Sequence, residues 1–506
     1  MPVEIELKLV LPKAAAGLLK RHPLLAGVAA PTRQRLRSIY FDTPELALRE
    51  KKCALRLRRA GRVWLQTFKQ GGPAKGGLHD RIEQEFQVRG PALDLAPLLD
   101  TPGASLLSRK RIAGRLIPVF ETVFVRTAWR VVDEDGNVVE VALDQGDVWS
   151  AGRRTPLSEV ELELLSGDPA ALFRIAASLQ ETVPLLPDDV SKAERGYRLY
   201  RDEELAPPAK AVPVALAASM TPRAAMRAVI GGCLAQLQAN ADGSRIGADP
   251  EYVHQMRVAL RRLRAALGLF APTATGEEPP HAGLRAALRE LAAELGTARD
   301  WDVFVEETLA PLCAAFPDHD GAARLLGRAR TQREAAAQKV RATLESPAYA
   351  RLLLRLSAET ALAEEDRESA RDAPRDQLRV LARAVLGKRH RRVARDGAHL
   401  AAADDQGRHR LRIAAKKLRY AAEFFAALFD VDDVLRYTRT LSNVQDLLGR
   451  MNDIVTARGL LGGLDPDGPS RLLAEAWLAA KADDALRAMP QTFARVDAAG
   501  KFWKRD

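Results

Sequence analysis

The sequence has few cysteines and aromatic residues, and it has no long hydrophobic run. Its three cysteines, Cys53, Cys233 and Cys313, are scattered and odd in number. This excludes a disulfide framework and a cysteine metal cluster, and it fits a reducing cytoplasm. No apolar stretch reaches the roughly 18 residues of a membrane span, and residues 1–10 lack the apolar region of a secretory signal. We therefore expect a cytoplasmic protein without a membrane partner.

The composition indicates a folded, basic protein of several domains. The chain has 506 residues, of which 47% are hydrophobic and 28% charged, so disorder is excluded as its dominant state. This length predicts two or three domains. The 77 Lys and Arg residues exceed the 66 Asp and Glu residues, which gives a net charge of +11. Such a balance favours anionic partners, namely nucleic acid, anionic lipid or a phosphorylated small molecule.

The composition also changes along the chain. Residues 1–202 read as a strand-rich domain, because short alternating segments are split by glycine and proline. Residues 203–218 are rich in proline and alanine and are predicted to be a linker. Residues 219–506 are rich in alanine, leucine and arginine at helical spacing. A second break, at about 363–376, divides this helical region into halves at about 219–362 and 377–506.

The two helical halves repeat each other. The segment HQMRVALRRLR at 254–264 matches HRLRIAAKKLR at 409–419, and LGTARD at 295–300 matches LGRMND at 448–453. The two matches keep the same order and nearly the same separation, about 155 residues. This predicts a duplicated helical unit.

Charged residues alternate with aliphatic residues in the strand-rich domain. In the first strand, Glu4, Glu6 and Lys8 share one face. One interpretation is a half-exposed strand whose polar side faces water. The pattern recurs, however, and some strands supply almost only cations while others supply carboxylates. The recurring positions are Arg56 and Arg58; Arg81, Glu83 and Glu85; Arg126; Glu140 and Asp144; and Glu159, Glu161 and Glu163.

Closing these strands into a barrel with the charged faces inward would create a charged tunnel. Burying unpaired charges costs several kcal/mol per ion, so such a tunnel must stay wet, pair its charges or hold charged ligands. Cations would bind phosphate oxygens, and carboxylates would hold Mg²⁺ or Mn²⁺. This is the composition that phosphoanhydride hydrolysis requires.

Four motifs, in order, resemble the CYTH family, also called triphosphate tunnel metalloenzymes. They are Glu4-x-Glu6-x-Lys8, Tyr40-Phe41-Asp42-Thr43-Pro44, Arg56-x-Arg58, and Ser191-Lys192-x-x-Arg195-Gly196. The Asp-Thr-Pro part of the second motif also reads as a structural turn. The resemblance covers about residues 1–200 and implies an α+β domain built on an antiparallel eight-stranded tunnel barrel.

The resemblance also implies roles for individual residues. The implied metal ligands are Glu4, Glu6, Glu159, Glu161 and Glu163, with Glu161 and Glu163 favoured over Glu159. The implied triphosphate-binding cations are Lys8, Arg56, Arg58, Lys69, Arg81, Arg126 and Lys192. Lys8 and either Glu83 or Glu85 are implied to be catalytic, with one glutamate orienting or deprotonating the attacking water. Asp144 would lie beside the metal ligands or tune a neighbouring cation.

Family members act on inorganic triphosphate, thiamine triphosphate, nucleoside triphosphates or RNA 5′-triphosphates, or they cyclise ATP. A nucleotide substrate needs a pocket for its base, and aromatic residues make up only 5% of this chain. Inorganic tripolyphosphate needs no such pocket. We therefore rank an inorganic triphosphatase with Mg²⁺ or Mn²⁺ first, ahead of a thiamine triphosphatase or an adenylate cyclase.

Each helical repeat carries a basic stripe beside an apolar one. In the first, His254, Arg257, Arg261 and Arg264 recur at helical spacing. Such a stripe on a single helix usually reads as a solvated flank. Its duplication, with few acids nearby, favours a groove that binds an anion, because like charges on one stripe repel each other.

The repeat, together with Leu-Gly-x-x-x-Asp, resembles the CHAD domain, so an all-α bundle of two repeats is expected. The resemblance implies binding of inorganic polyphosphate, and the fusion resembles bacterial CYTH–CHAD inorganic triphosphatases. The implied polyphosphate-binding residues are His254, Arg257, Arg261, Arg262, Arg264, His409, Arg412, Lys416, Lys417 and Arg419. Asp300 and Asp453 are interpreted as capping or orienting an arginine rather than binding a metal.

Two other function classes remain open from the sequence. A non-catalytic protein could bind polyphosphate through its helices and keep a vestigial tunnel. Nucleic-acid binding is disfavoured, because the sequence offers no aromatic platform and no polar helix face for reading bases. The expected partners are inorganic tripolyphosphate and inorganic polyphosphate, and the expected location is the cytoplasm, in association with polyphosphate granules.

Overall fold

The computed structural model describes residues 3–71, 77–101, 103–203, 205–270, 281–361, 376–400, 403–464 and 468–504. Side chains are described in these ranges except at residues 3–4, 79–82, 469, 490, 494 and 497–498. The chain forms two compact units. The first contains the residues up to Pro207 and a later segment that begins at Ser346, and the second contains the remainder.

The first unit is a closed antiparallel barrel. Its strands are β1 (Val3–Val10), β2 (Thr32–Asp42), β3 (Cys53–Ala60), β4 (Val63–Gly71), β5 (Leu78–Val88), β6 (Ile117–Val132), β7 (Val138–Ser150) and β8 (Arg153–Ser166). The order is β5-β4-β3-β2-β6-β7-β8-β1, and β1 also pairs with β5, so the eight strands close on themselves. A two-residue strand, β9 (Leu186–Pro187), adds to the end of β1.

The strands of this barrel carry their apolar residues outward. Alternate residues of β1, β7 and β8, including Leu9, Val141 and Leu162, form a buried core on the outer face. Helix α6 covers that face and contributes Leu172 and Leu179 to the same core. Because side chains alternate across a strand, the intervening charged residues point into the barrel.

The helices of this unit are short. They are α1 (Ala16–Lys20), α2 (Pro23–Ala26), α3 (Ala47–Glu50), α4 (Ala104–Leu107), α5 (Lys110–Ala113), α6 (Ala170–Leu179) and α7 (Lys192–Arg201). Helix α7 packs on the inner face of β6 and β7, where Phe120, Phe124 and Tyr197 form a separate buried cluster. This cluster lies at one end of the barrel interior.

A helix from the middle of the C-terminal half also belongs to the first unit. Helix α14 (Pro347–Thr360) packs against α6 and β9, and its Leu354 is 4% exposed within the outer core of the barrel. The predicted repeat half 219–362 therefore includes a segment that folds with the barrel. The boundaries drawn from composition stay a prediction.

The second unit is helical. Its helices are α8 (Pro222–Ala239), α9 (Ala241–Ile246), α10 (Pro250–Leu269), α11 (Ala282–Val303), α12 (Ala310–Ala315), α13 (Asp320–Leu344), α15 (Gln377–Ala398), α16 (Asp405–Phe424), α17 (Val431–Leu464) and α18 (Pro469–Ala498), with a π-helical turn at Phe304–Leu309. Helices α10 and α16 carry the two matching basic segments, and they contact each other. The predicted fold class, an antiparallel barrel followed by a helical region, is confirmed. No helix in the described part of the chain is long and apolar enough to cross a membrane.

Candidate functional site

The barrel register sets charged residues of neighbouring strands side by side on the inner face. The cross-strand partners are Lys8 with Glu161, Arg126 with Asp144, Asp144 with Glu159, Lys69 with Glu83, and both Glu6 and Glu140 with Glu163. Directly opposed residues are close enough for their side chains to interact. The alternation seen in the sequence thus becomes one continuous charged surface.

This surface encloses a cavity of about 470 Å³. Its predicted site residues are Glu6, Lys8, Arg56, Arg58, Lys69, Glu83, Glu85, Arg126, Glu161, Glu163 and Lys192. Glu159 and Asp144 are fully buried and do not line the cavity. The side chains of Glu4 and Arg81 lie outside the described residues. Most of the residues singled out from the sequence therefore meet in one space.

One side of the cavity is a network of buried ion pairs. The amino group of Lys192 lies 2.7 Å from Asp144, 2.5 Å from Glu159 and 2.8 Å from Glu161. Lys8 lies 3.0 Å from Glu159 and also pairs with Glu161. Removing one partner from such a network would leave an uncompensated buried charge, which costs about 3–5 kcal/mol.

Arg126 completes the network from strand β6. Its Nη2 atom is 2.7 Å from Asp144, and it also pairs with Glu161. Burial opposes ionisation of Glu161, but Lys192, Lys8 and Arg126 together hold its pKa well below the usual range. Burial likewise disfavours the charged form of Lys8, but Glu159 and Glu161 raise its pKa overall. These groups all stay charged in the folded protein.

A second group of carboxylates forms no direct ion pair within the described residues. Glu6, Glu140 and Glu163 are neighbours on β1, β7 and β8, and they form no ion pair or hydrogen bond within the described residues. Burial first, and then Glu140 and Glu6, raise the pKa of Glu163. Lys69 and Arg126 act in the opposite direction but only partly offset this rise.

Two carboxylate groups could in principle hold a divalent metal. Asp144, Glu159 and Glu161 place oxygen atoms within 4.8 Å of one another, but Lys8, Lys192 and Arg126 already bind most of their oxygens; Glu159 Oε2 accepts no hydrogen bond within the described residues. Glu6 and Glu163 line the cavity without a direct ion pair in the described part of the chain, and Glu161 lies between the two groups. Carboxylate oxygens are the ligands that Mg²⁺ and Mn²⁺ prefer, so the group without direct ion pairs fits such an ion better.

The opposite side of the cavity is cationic. Glu83 lies between Arg56 at 3.3 Å and Lys69 at 2.7 Å. Arg58 forms no ion pair within the described residues; its Nε atom is 3.4 Å from the hydroxyl of Ser38. Burial first, then Arg56 and Arg126, lower the pKa of Arg58 to about 10. An anion placed here would gain a charge-assisted hydrogen bond.

The two candidate bases differ in their surroundings. Glu83 forms ion pairs with two cations. Glu85 accepts a hydrogen bond of 2.9 Å from the neutral hydroxyl of Thr67, and Arg56 and Arg58 act on it electrostatically. Of the two glutamates, Glu85 is the one without a direct ion pair within the described residues.

The motif at 40–44 serves two purposes. The carboxylate of Asp42 accepts hydrogen bonds from the backbone N–H groups of Leu48 at 2.8 Å and Arg49 at 3.0 Å, which supports the structural interpretation of the turn. Tyr40, by contrast, lines the cavity and stacks on Phe120 with ring centroids 4.4 Å apart. Burial opposes ionisation of Tyr40, but Arg56 and Arg58 lower its pKa. Sequence reasoning missed Tyr40, although it shares the inward face of its strand.

The motif at 191–196 builds the start of helix α7. Ser191 caps the helix by accepting a hydrogen bond from the N–H of Glu194, and Lys192 then reaches the carboxylate network. Arg195 pairs with Asp188. A Cβ atom at Gly196 would lie 2.1 Å from the ring of Phe120, so only glycine allows this close packing.

The helical unit brings its basic stripes together where α10 contacts α16. Arg257 and Arg261 from α10 act electrostatically on Arg412 and Lys416 from α16. Burial lowers the pKa of Arg257 to about 10. These four side chains define the basic groove. Their mutual repulsion is a cost that a bound anion would remove.

Acidic and polar residues orient part of this groove. Asp300 on α11 lies 3.9 Å from Arg257, and Asn452 on α17 accepts a hydrogen bond of 2.9 Å from Arg412. Asn452 also lies 3.0 Å from His409. Burial lowers the pKa of His254 to about 4, so this histidine is neutral at physiological pH.

Two of the predicted polyphosphate-binding residues contact the same glutamate. Arg262 is 5% exposed, pairs with Glu423 and lies 4.9 Å from the ring centre of Phe424. Arg419 lies 3.5 Å from the same Glu423. Both side chains are held by an ion pair with Glu423 and by an aromatic ring. The basic groove as defined above therefore does not include them.

Helix α15 adds basic residues that sequence reasoning missed. Arg389 and Arg392 act on Lys417, as does Arg264 on α10, and together with burial they lower the pKa of Lys417. In the sequence, both residues belong to the basic run KRHRR at 388–392, which could have indicated them. This run extends the positive charge beyond the two matching stripes.

Comparison with protein families identifies both parts of the chain. Residues 2–197 match the CYTH domain and residues 228–462 match the CHAD domain. The chain therefore carries an N-terminal CYTH domain and a C-terminal CHAD domain, as the motifs predicted.

Individual relatives match parts of the chain. An inorganic triphosphatase of Haemophilus influenzae is 30% identical over 203 residues, which are 39% of this chain and 54% of that protein. This chain thus spans about half the length of that curated relative. The crystal structure of the CHAD domain from the plant Ricinus communis is 32% identical, covers 57% of this chain and 96% of that one, and has a TM-score of 0.48. A putative adenylyl cyclase from Hippeastrum, described as having a dominant triphosphatase activity, is 21% identical over 40% of this chain and 98% of that one, with a TM-score of 0.29.

Proposed function

We propose that this chain, in which a CYTH domain precedes a CHAD domain, is a divalent-metal-dependent inorganic triphosphatase that also binds inorganic polyphosphate. In this proposal the tunnel hydrolyses tripolyphosphate to pyrophosphate and phosphate, and the basic groove binds the longer chains. The supporting observation is the division of one cavity into a side where Glu6 and Glu163 form no direct ion pair and a side where Arg58 forms none, within the described residues.

The carboxylate side would hold the metal. Glu6 and Glu163 are the proposed ligands, with Glu4 from the same strand as Glu6. Glu161 would join them by exchanging one of its contacts with Lys8, Lys192 or Arg126 for the metal. Bound Mg²⁺ or Mn²⁺ would neutralise charge on the phosphate oxygens. Glu159 and Asp144 would act indirectly, by holding Lys8, Lys192 and Arg126 in place.

The cationic side would bind the phosphates. Arg58 is the strongest candidate, because it lines the cavity and forms no direct ion pair within the described residues. Arg56 and Lys69 lie beside it and share Glu83. Arginine can bind phosphate with two parallel hydrogen bonds, so this wall would fix the orientation of the chain.

Glu85 is the proposed general base. It would take a proton from the water that attacks a terminal phosphorus atom, while the bond from that phosphorus to the bridging oxygen breaks and pyrophosphate leaves. Lys8 would contribute by fixing Glu161 rather than by contacting the water, because two carboxylates already engage its amino group.

The cavity lining favours a compact substrate. Its aromatic residues, among those described, are Tyr40 and Tyr197, and Phe120 packs against both. Both tyrosines are therefore part of the packed wall. A nucleotide base would need an open aromatic face, whereas tripolyphosphate needs only charge.

The test is a screen of phosphate release by the full-length protein. Tripolyphosphate, pyrophosphate, ATP, thiamine triphosphate and long-chain polyphosphate are each incubated with Mg²⁺, with Mn²⁺ and with a chelator. We expect tripolyphosphate to have the highest kcat/KM and the chelator to abolish turnover. Faster turnover of ATP or thiamine triphosphate would contradict the substrate assignment. Polyphosphate binding without any hydrolysis would instead support a non-catalytic binding protein.

A further inference from the structure

The barrel closes where strand β1 pairs with strand β5, and we call this pairing the seam. Its last strand pair joins Leu7 to Leu78. Beyond that pair, the backbone of Lys8 is held by hydrogen bonds to residues outside the two strands. Asp188 and Asp189, which follow β9 in the chain, lie at this end of the seam and do not line the cavity.

The peptide groups of Lys8 are bound on both sides. Its N–H donates a hydrogen bond of 2.8 Å to the carbonyl of Gly77, and its carbonyl accepts one of 3.1 Å from the N–H of Asp188. The side chain of Lys8 engages Glu159 and Glu161 inside the barrel. The end of the seam therefore determines where this lysine enters the charged network.

Asp189 holds the residue on the other side of the seam. Its Oδ1 atom accepts a hydrogen bond of 2.6 Å from the N–H of Gly77, whose carbonyl in turn binds Lys8. Gly77 is buried and has a φ angle of +82°, and a Cβ atom there would lie 2.6 Å from the carbonyl oxygen of Lys8. Only glycine allows this close approach of the two backbones.

The two aspartates act on different groups. Asp188 pairs with Arg195, which lies 3.8 Å from Glu159, so its carboxylate belongs to the edge of the charged network. Asp189 forms no ion pair within the described residues, and the hydrogen bond from Gly77 is its connection to the seam. A change at Asp189 therefore tests the seam without removing a charge partner from the network.

The seam joins the two sides of the cavity. Strands β1 and β8 pair with each other and carry Glu6 and Glu163, whereas β3, β4 and β5 pair in order and carry Arg58, Lys69 and Glu85. A slip of one residue between strands displaces them by about 3.3 Å and turns every side chain to the other face. Even a displacement of about 1 Å at a reacting group can cost about a hundredfold in rate.

We propose that Asp189 is a positioning residue of the tunnel, which holds Gly77 against Lys8 and thereby aligns the proposed base Glu85 with the proposed metal ligand Glu6. This inference rests on the proposed triphosphatase function. Each side of the cavity keeps its own strand pairing when the seam loosens, so each keeps its own ligands. The inference therefore predicts a loss of turnover without a loss of binding of tripolyphosphate or of metal.

The experiment uses the full-length protein and two variants of one residue. Asp189→Ala removes the hydrogen-bond acceptor, whereas the side-chain oxygen of Asp189→Asn can still accept from Gly77. Asp168→Ala is the matched control, because Asp168 accepts a hydrogen bond of 2.9 Å from the backbone N–H of Ala170 at the start of α6. The measurements are kcat, KM for tripolyphosphate and the half-saturating Mg²⁺ concentration. Amide hydrogen exchange at Gly77, followed with a chelator present, reports on the seam independently of activity.

We expect Asp189→Ala to lower kcat by roughly 10- to 100-fold, with KM and the half-saturating Mg²⁺ concentration close to those of the wild type. The amide of Gly77 should exchange faster in this variant. Asp189→Asn should restore most of kcat and of the protection at Gly77, and Asp168→Ala should keep the kinetics of the wild type. If Asp189→Ala does not fold, Asp189→Ser, whose shorter side chain does not reach Gly77, replaces it with the same expected loss of kcat.

The possible failures are distinguishable. If Asp189→Ala loses stability but keeps the kcat of the wild type per folded molecule, or if its effect falls on KM or on the Mg²⁺ requirement instead, the inference is wrong while the proposed function stands. The same holds if Asp189→Asn is as impaired as Asp189→Ala, or if exchange at Gly77 is unchanged in Asp189→Ala. If the wild type releases no phosphate from tripolyphosphate with either metal, the proposed function fails, and the inference fails with it.

Discussion

The tunnel and the basic groove both concentrate charge, but they stabilise it differently. In the tunnel, Lys8, Lys192 and Arg126 share three buried carboxylates, so most of the charge is balanced inside the protein. In the groove, Arg257 and Lys416 face other cations, and burial lowers the pKa of both. The tunnel is therefore organised before a ligand arrives, whereas the groove depends on its ligand.

This difference suggests why the two regions suit different tasks. Catalysis benefits from charges that are fixed in advance, because no reorganisation is then needed during the reaction. Binding of a long flexible polyanion benefits instead from unbalanced charge, which also makes the affinity sensitive to salt. The predictions below test whether the charges of the tunnel are fixed for catalysis, whether those of the groove are unbalanced, and whether helix α14 stabilises the barrel.

The largest expected effect separates chemistry from binding. Glu85→Gln removes the proposed base and should lower kcat for tripolyphosphate by roughly 100- to 10 000-fold. Its affinity for long polyphosphate should not change, because the groove is intact. Glu83→Gln is the matched control and should affect kcat less. An unchanged kcat in Glu85→Gln would show that Glu85 is not the general base.

The second prediction compares the loss of one lysine in each region. Lys8→Met leaves Lys192 and Arg126 to balance the three buried carboxylates Asp144, Glu159 and Glu161. The uncompensated buried charge should lower the free energy of unfolding of the barrel by about 3–5 kcal/mol. Lys416→Met should cause no loss of stability, because Lys416 forms no ion pair or hydrogen bond within the described residues and its charged form is disfavoured there. Denaturant unfolding monitored for each unit measures both. Equal destabilisation by the two variants would contradict the view that charge is balanced in the tunnel and unbalanced in the groove.

The third prediction concerns helix α14, which lies in the C-terminal half of the sequence but packs in the first unit with the barrel. Leu354→Ala opens a cavity in the outer core and should lower the free energy of unfolding of the barrel by about 2–5 kcal/mol. Leu472→Ala, at a position that is 75% exposed on α18, should change stability by less than about 0.5 kcal/mol. If Leu354→Ala has no effect, helix α14 does not stabilise the barrel.

The smallest expected effect concerns a single phosphate contact. Arg58→Gln should lower kcat/KM for tripolyphosphate by roughly 10- to 100-fold, as expected for the loss of a charge-assisted hydrogen bond. Stability should be retained, because Arg58 forms no ion pair within the described residues. Arg59→Gln, on the exposed face of the same strand, serves as the control. Equal kinetics for the two variants would contradict the proposed phosphate-binding wall.

The sequence predicted the barrel because alternation within a strand determines which residues share a face. The same alternation could not separate Glu159 from Glu161 and Glu163, since all three point inward. Their surroundings depend on which residues lie opposite on β1 and β7, and that register follows from the hairpin at Ala151 and Gly152, where both residues have positive φ angles.

Two features of the helical half were also beyond the sequence pattern. The apolar face of helix α14 was visible, but nothing in its spacing indicated that Leu354 would join the core of the barrel. Arg262 fits the basic segment as well as Arg261 does, but a rotation of 100° along the helix turns it inward towards Glu423. Tertiary packing, rather than local periodicity, decides both cases.

The central claim, which rests on the proposed function, is that carboxylates without direct ion pairs in the described residues and a phosphate-binding wall of cations meet in one tunnel to hydrolyse tripolyphosphate. The most direct test is metal-dependent phosphate release by the double variant Glu6→Gln, Glu163→Gln, compared with Glu134→Gln, which changes an exposed glutamate in the β6–β7 turn. We predict a loss of at least about 100-fold for the double variant, because neutral amides are poor ligands for a hard divalent ion. Full activity in the double variant, with folding intact, would contradict the account.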